Sequence, residues 1–114
     1  MVVRRGEVWW ASLPSRTRSG PGYSRPVVIV QTDEYNESQI HTVVVTILTT
    51  NLRLAAARDN VLCRKKETGL PKDSVLNVSQ ILTIDKSLLS ERTGRLSSRL
   101  LQQAEEGLRL VLGL

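Results

Sequence analysis

Cysteine and histidine are almost missing from this chain: 114 residues hold one of each, Cys63 and His41. A lone cysteine forms no intrachain disulfide and calls for no oxidising compartment. One histidine and one cysteine also exclude a zinc site built from several such ligands. A Ser-His-Asp or Cys-His arrangement would have to recruit His41. That residue is expected on the strand face of Val43, Val45 and Ile47, where it reads as a hydrogen-bonded structural histidine. The acidic residues are scattered without metal-ligand spacing, and there is no Walker loop and no GxGxxG. Aromatics are scarce, with two Trp, two Tyr and no Phe. No apolar run nears the length of a bilayer span, and the first ten residues, MVVRRGEVWW, have basic residues but no apolar signal core. The expectation is a cytoplasmic chain without a membrane partner. Any catalysis is expected to need no metal or other cofactor and to run on Arg, Lys, Ser, Thr and backbone donors. Such a set suits phosphodiester transfer in RNA, where the substrate brings its own 2′-hydroxyl nucleophile and the protein aligns it and offsets charge on the phosphate.

What is present describes one domain over residues 1–114, long enough to bury a core without metal or disulfide staples. Hydrophobic residues make up 40% and charged residues 24%, which gives no sign of disorder. The net charge of +5 favours polyanions. The cations cluster: Arg4 and Arg5; Arg16, Arg18 and Arg25; Arg64, Lys65 and Lys66. Charge alone leaves a solvated basic surface and a nucleic-acid surface as equal readings.

The organising stretch is Arg25 to Asn51, with two Val- and Ile-rich runs at 27–30 and 43–48. Both read as strands, and the polar segment between them makes the simplest arrangement an antiparallel hairpin. Symmetry about residue 37 makes paired residues sum to 74, so that Gln31 faces Val43, Ile29 faces Val45, Val27 faces Ile47 and Arg25 faces Thr49. The last two would project from one face with Cβ atoms about 5 Å apart. A permanently charged fork beside a hydroxyl can cradle a phosphate. On spacing alone the competing reading is an ordinary surface Arg and a strand-compatible Thr.

Around the hairpin, residues 6–13 (GEVWWASL) read as a strand with one Trp on each face, one for the core and one for a second layer or a partner chain. Residues 14–24 (PSRTRSGPGYS) have two Gly, two Pro, three Ser and no aliphatic side chain, so a loop is expected that could close over a ligand at Arg25. Residues 51–59 have helix propensity, 61–64 look like a strand, 65–72 like a turn, and 74–78 and 80–84 like two short extended runs. From Ser97 the period changes: Leu100, Leu101, Ala104, Leu108, Val111 and Leu112 share one helical face, Ser97 or Ser98 can cap the start, and Gly113 suits the end. Five to seven strands followed by one helix, without βαβ alternation, predict a mainly β fold with α (α+β): an antiparallel sheet or small barrel closed by an amphipathic C-terminal helix.

The blocks Arg5-Gly6-Glu7-Val8-Trp9-Trp10, Arg25-Pro26-Val27-Val28-Ile29-Val30-Gln31, Thr42-Val43-Val44-Val45 with Leu48-Thr49-Thr50, Lys72-Asp73-Ser74-Val75, Gln80-Ile81 and Thr83-Ile84-Asp85-Lys86 cover nearly the whole chain. Together they resemble the MazF/PemK family of toxin endoribonucleases. The resemblance implies an SH3-like, plasmid-maintenance-type barrel, a homodimer, a neutralising acidic antitoxin, and metal-independent cleavage of single-stranded RNA at short sequences that leaves a 2′,3′-cyclic phosphate and a 5′-hydroxyl. It carries the family's catalytic arginine onto Arg25 and the catalytic hydroxyl onto Thr49, and it matches Gln80 to a Gln near bound RNA. Arg16, Arg18, Ser19, Tyr23, Thr50 and Asn51 are the further RNA-binding candidates. The loop before Arg25 lacks the family's common Gly-Ser-Glu, and Leu82 stands where an Arg is common, which bears on the cleavage sequence. Two other classes remain: a toxin of the same fold that poisons DNA gyrase, and a non-catalytic RNA-binding module, against which the few aromatics count.

Overall fold

The computed structural model describes residues 2–13 and 23–114. Six strands, β1 (Glu7–Leu13), β2 (Tyr23–Ile29), β3 (Thr42–Thr49), β4 (Val61–Cys63), β5 (Ser74–Asp85) and β6 (Leu89–Arg95), form one antiparallel sheet in the order β4-β5-β3-β2-β1-β6. The helices are α1 (Asp33–Asn36), α2 (Lys65–Thr68) and α3 (Ser98–Leu112), with short 3₁₀ turns at Leu52–Ala56 and Lys86–Leu88.

The central hairpin has the expected register over its paired part: Val27 opposes Ile47, Val28 opposes Thr46 and Ile29 opposes Val45. Towards its loop the ladder is irregular. The amides of Val30 and Gln31 both donate to the Val44 carbonyl, and the Gln31 side chain takes over ladder bonds, accepting from the Val44 amide at 3.3 Å and donating to the Thr42 carbonyl at 3.3 Å. The loop contains the one-turn α1, held by Asn36, whose amide donates to the Gln31 carbonyl at 3.0 Å.

Alternation along the strands builds a core on each face of the sheet. Val8, Val28, Val30, Leu48, Leu76 and Val78 lie on the face that α3 covers with Leu100 and Ala104. Trp9, Ala11, Val27, Ile29, Val43, Val45 and Ile47 pack on the other. The adjacent tryptophans therefore divide. Trp9 is buried in the second cluster and donates from Nε1 to Glu7 at 3.1 Å, while the half-buried Trp10 packs on the first. The helix begins where expected: the Ser97 side chain accepts from the Leu100 amide at 3.2 Å, and Gly113 ends it in the left-handed region at φ 70°. Gly107, costly inside a helix, sits where a Cβ would meet the Asp59 carbonyl at 2.6 Å and a Val78 methyl at 2.9 Å, so its absence of side chain brings α3 onto the sheet.

Three elements differ from expectation. The runs at 74–78 and 80–84 are one strand, β5, interrupted by a bulge: Thr46 opposes Ile81 but Ile47 opposes Asn77. The extra residues include exposed Ser79 and Gln80, which break the alternation. The segment 65–72 starts with the single turn α2. Strand β6 was not anticipated at all; its sequence LSERTGR buries one apolar residue, Leu89, and is held by pairing with β1. The two edges of the curled sheet meet through α2, where the Thr93 hydroxyl donates to the Thr68 carbonyl at 2.9 Å and Gly69, at φ 77°, leaves no room for a Cβ beside the Thr93 backbone.

Candidate active site

The β2–β3 ladder stops at Val27 and Ile47, next to Pro26, which has no amide N–H to donate. Beyond that point the strands part into a cavity of about 440 Å³, within the range of small-ligand sites. Continuing the observed register by two residues sets Arg25 opposite Thr49, and both line the cavity, with Thr50 beside them. Thr49 is held from its other side by pairing with Val75 of β5. Its Oγ1 accepts the Asn51 N–H at 3.2 Å, which occupies an acceptor position and leaves the hydroxyl proton able to donate outward.

The electrostatics of the cavity are one-sided. Arg25 and Lys72 line it, and among the described residues no carboxylate does. Ser24, Thr49 and Thr50 add hydroxyls, and Trp10, Pro26 and Leu70 supply apolar wall. Cationic forks and hydroxyl donors suit a phosphate group, and an aromatic wall offers a surface on which a base can stack. Trp10 and Lys72 were not singled out as site residues from the sequence. Trp10 reaches the cavity because it pairs with Pro26, one residue from Arg25. Lys72 stands in the Lys72-Asp73-Ser74-Val75 block, so a signal for it existed.

The remaining candidates are spread out. Arg16, Arg18 and Ser19, with the rest of the segment 14–22, lie outside the described residues. Tyr23 opens β2 instead of ending a loop; it pairs with Leu13 and packs half-buried against the cluster of Trp9 and Val27. Asn51 caps the 3₁₀ turn by accepting from the Arg53 amide at 3.3 Å, so it touches the cavity only through Thr49. Gln80 is exposed at the β5 bulge, where it accepts from Asn77 Nδ2 at 3.1 Å. His41 is not on the inner face: it is exposed, one residue before β3 begins and a strand length of roughly 25 Å from Thr49. Burial pushes the Cys63 thiol up to about 12, which leaves it inert. Among the described residues no three His, Cys, Asp or Glu side chains converge into a possible metal site, and no helix is long and apolar enough to cross a membrane.

The fold is thus a small curled antiparallel sheet with a C-terminal helix, and at its open hairpin end it carries a cationic cavity that, among the described residues, no carboxylate lines. Residues 4–112 match the model of the PemK-like, MazF-like toxins of type II toxin-antitoxin systems, and the chain belongs to that family. It is 41% identical over 114 residues to Endoribonuclease MazF2 of Mycobacterium bovis, covering 100% of both chains. Among solved structures it resembles a MazE-MazF crystal structure from Deinococcus radiodurans, with a TM-score of 0.81 at 17% identity, covering 100% of this chain and 98% of that one. It also resembles an endoribonuclease in complex with its cognate antitoxin from a mycobacterial species, with a TM-score of 0.74 at 21% identity, covering 99% and 95%. The antiparallel fold closed by a C-terminal helix is the one expected from the sequence.

Proposed function

We propose that this chain, a single toxin domain over residues 1–114, is the endoribonuclease of a type II toxin-antitoxin pair and cleaves single-stranded RNA, including mRNA, in the cytoplasm to arrest translation and growth. The observation that carries the reading is the convergence of Arg25 and Thr49 on one cavity that no carboxylate lines among the described residues. Arg25 holds two non-bridging phosphate oxygens and offsets the charge that grows on them, and the Thr49 hydroxyl donates to the same phosphate. The substrate's 2′-oxygen forms a bond to phosphorus as the bond to the 5′-oxygen breaks. The 2′-hydroxyl proton passes to water and the departing 5′-oxygen takes one from water, leaving a 2′,3′-cyclic phosphate and a 5′-hydroxyl. No metal or other cofactor enters this scheme.

Two partners belong to the proposal. The first is a second copy of the chain: Leu112 and Leu114, exposed where α3 ends beside Ile81, are apolar side chains that a two-fold interface would cover. The second is a cognate acidic antitoxin, in keeping with the net charge of +5 and with the relative solved in complex with its antitoxin. Purified protein is to be incubated with a long transcript and, separately, with gyrase and supercoiled plasmid. Cut RNA beside unaffected DNA is the expected outcome; intact RNA with gyrase-dependent DNA breaks would replace the nuclease by a gyrase poison of the same fold.

A further inference from the structure

A second hollow of about 290 Å³ adjoins the cavity of Arg25 and Thr49, lined by Thr50, Leu52, Lys65, Pro71, Lys72 and Asp73. Thr50, Pro71 and Lys72 line both, so the two form one continuous groove with Lys72 on the saddle between them. The one acid in this second hollow is already committed. Asp73 accepts the Lys65 backbone N–H at 2.8 Å and pairs with Arg64 at 3.3 Å, and these bonds hold its carboxyl below the usual carboxylate range. Neither lysine ammonium forms an ion pair among the described residues. Lys65 and Lys72, with Arg64 beside them, outnumber Asp73, so the saddle carries net positive charge, and the exposed Leu52 supplies an apolar edge.

We propose, resting on the endoribonuclease reading, that the RNA strand leaving the scissile phosphate runs over Thr50 and Pro71 into the second hollow, and that Lys72 and Lys65 bind the backbone phosphates flanking the one held by Arg25. Lysine is suited to this task because an ammonium on a flexible stem follows a phosphate without dictating base identity. Lys72 then contributes affinity and register while the chemistry stays with Arg25 and Thr49.

The test is binding of a random-sequence 2′-O-methyl oligonucleotide of about 20 nucleotides, which cannot be cleaved, read by fluorescence anisotropy between about 50 and 200 mM salt. Lys72→Ala should weaken binding about tenfold and make the plot of log affinity against log salt about 0.7 less steep, the loss of one single-strand phosphate contact. Lys65→Ala should act in the same direction, and Lys72→Arg should keep the wild-type slope. Lys66→Ala removes the same charge from α2 but lines neither hollow, and should leave the slope alone. A Lys72→Ala protein with wild-type affinity and slope, a Lys66→Ala protein that loses as much, or a wild-type protein that does not bind the oligonucleotide would each overturn the proposal. Binding that depends on Lys72 in a protein that cuts no natural RNA would instead leave the groove standing and remove the nuclease.

Discussion

The backbone N–H of Asn51 donates to Thr49 Oγ1 at 3.2 Å, while Thr49 itself is paired to Val75 of β5. The hydroxyl at the cavity is thus fixed on a rigid strand and oriented by the residue that starts the next turn. Replacing Thr49 by Ala should lower kcat by roughly 10²- to 10³-fold, the cost of one preorganised donor. Thr49→Ser keeps the oxygen that Asn51 addresses and should stay active. Single-turnover cleavage rates separate the two; equal rates for Ala and wild type would remove Thr49 from the chemistry.

Arg25 offers a planar fork that an ammonium cannot copy. Arg25→Ala should nearly abolish cleavage and Arg25→Lys should restore little. Both proteins should melt like wild type, because Arg25 lies beyond the last β2–β3 pair, Val27 with Ile47. Circular dichroism melts beside the rate measurement check this, and robust cleavage by the alanine variant would contradict it.

His41 is exposed at the loop end of β3, away from the cavity. His41→Ala should therefore cut RNA at the wild-type rate, and the pH–rate profile should lack a bell centred on the ordinary histidine range. A folded but inactive His41→Ala protein would require a different general base.

Glu7 is the buried member of a set of carboxylates, with Asp33, Asp73 and Asp85, that are held below their ordinary values and should contribute to acid sensitivity. Burial pushes it up, but hydrogen bonds from the Trp9 indole, the Arg4 amide and Arg92, together with the Arg92 charge, outweigh this and leave it below its ordinary value of 4.5. A carboxyl lowered in the folded state contributes stability that is fully present above its ordinary value and is lost as pH falls through the folded one. Thermal midpoints should drop on acidification below that range. Glu7→Gln should cost about 1–3 kcal/mol near neutrality and flatten the drop. An unchanged pH dependence in Glu7→Gln would assign the acid sensitivity elsewhere.

The parts of this fold legible in the sequence are those set by local pattern and apolar alternation. The Val- and Ile-rich runs and the polar loop between them were enough to place Val27 against Ile47, and Arg25 and Thr49, two residues further on, line one cavity. The leucine period and the Ser97 and Gly113 caps were enough for α3. What escaped depends on the rest of the sheet. Strand β6 has one buried apolar side chain and exists because β1 offers it a free edge. His41 was expected inside because the period-two face was extended one residue past the start of β3. Trp10 joins the cavity through its cross-strand neighbour Pro26, which spacing along the chain does not show, and Lys72 joins it from the connection between α2 and β5.

The central claim is metal-free transesterification at the cavity of Arg25 and Thr49, and mapping the chemistry of the cut ends tests it most directly. A long transcript is to be incubated with the protein in EDTA, and both new termini identified. The expected result is undiminished cleavage with a 2′,3′-cyclic phosphate on one fragment and a 5′-hydroxyl on the other. Cleavage that EDTA abolishes and Mg²⁺ or Mn²⁺ restores, or ends carrying a 3′-hydroxyl and a 5′-phosphate, would contradict it.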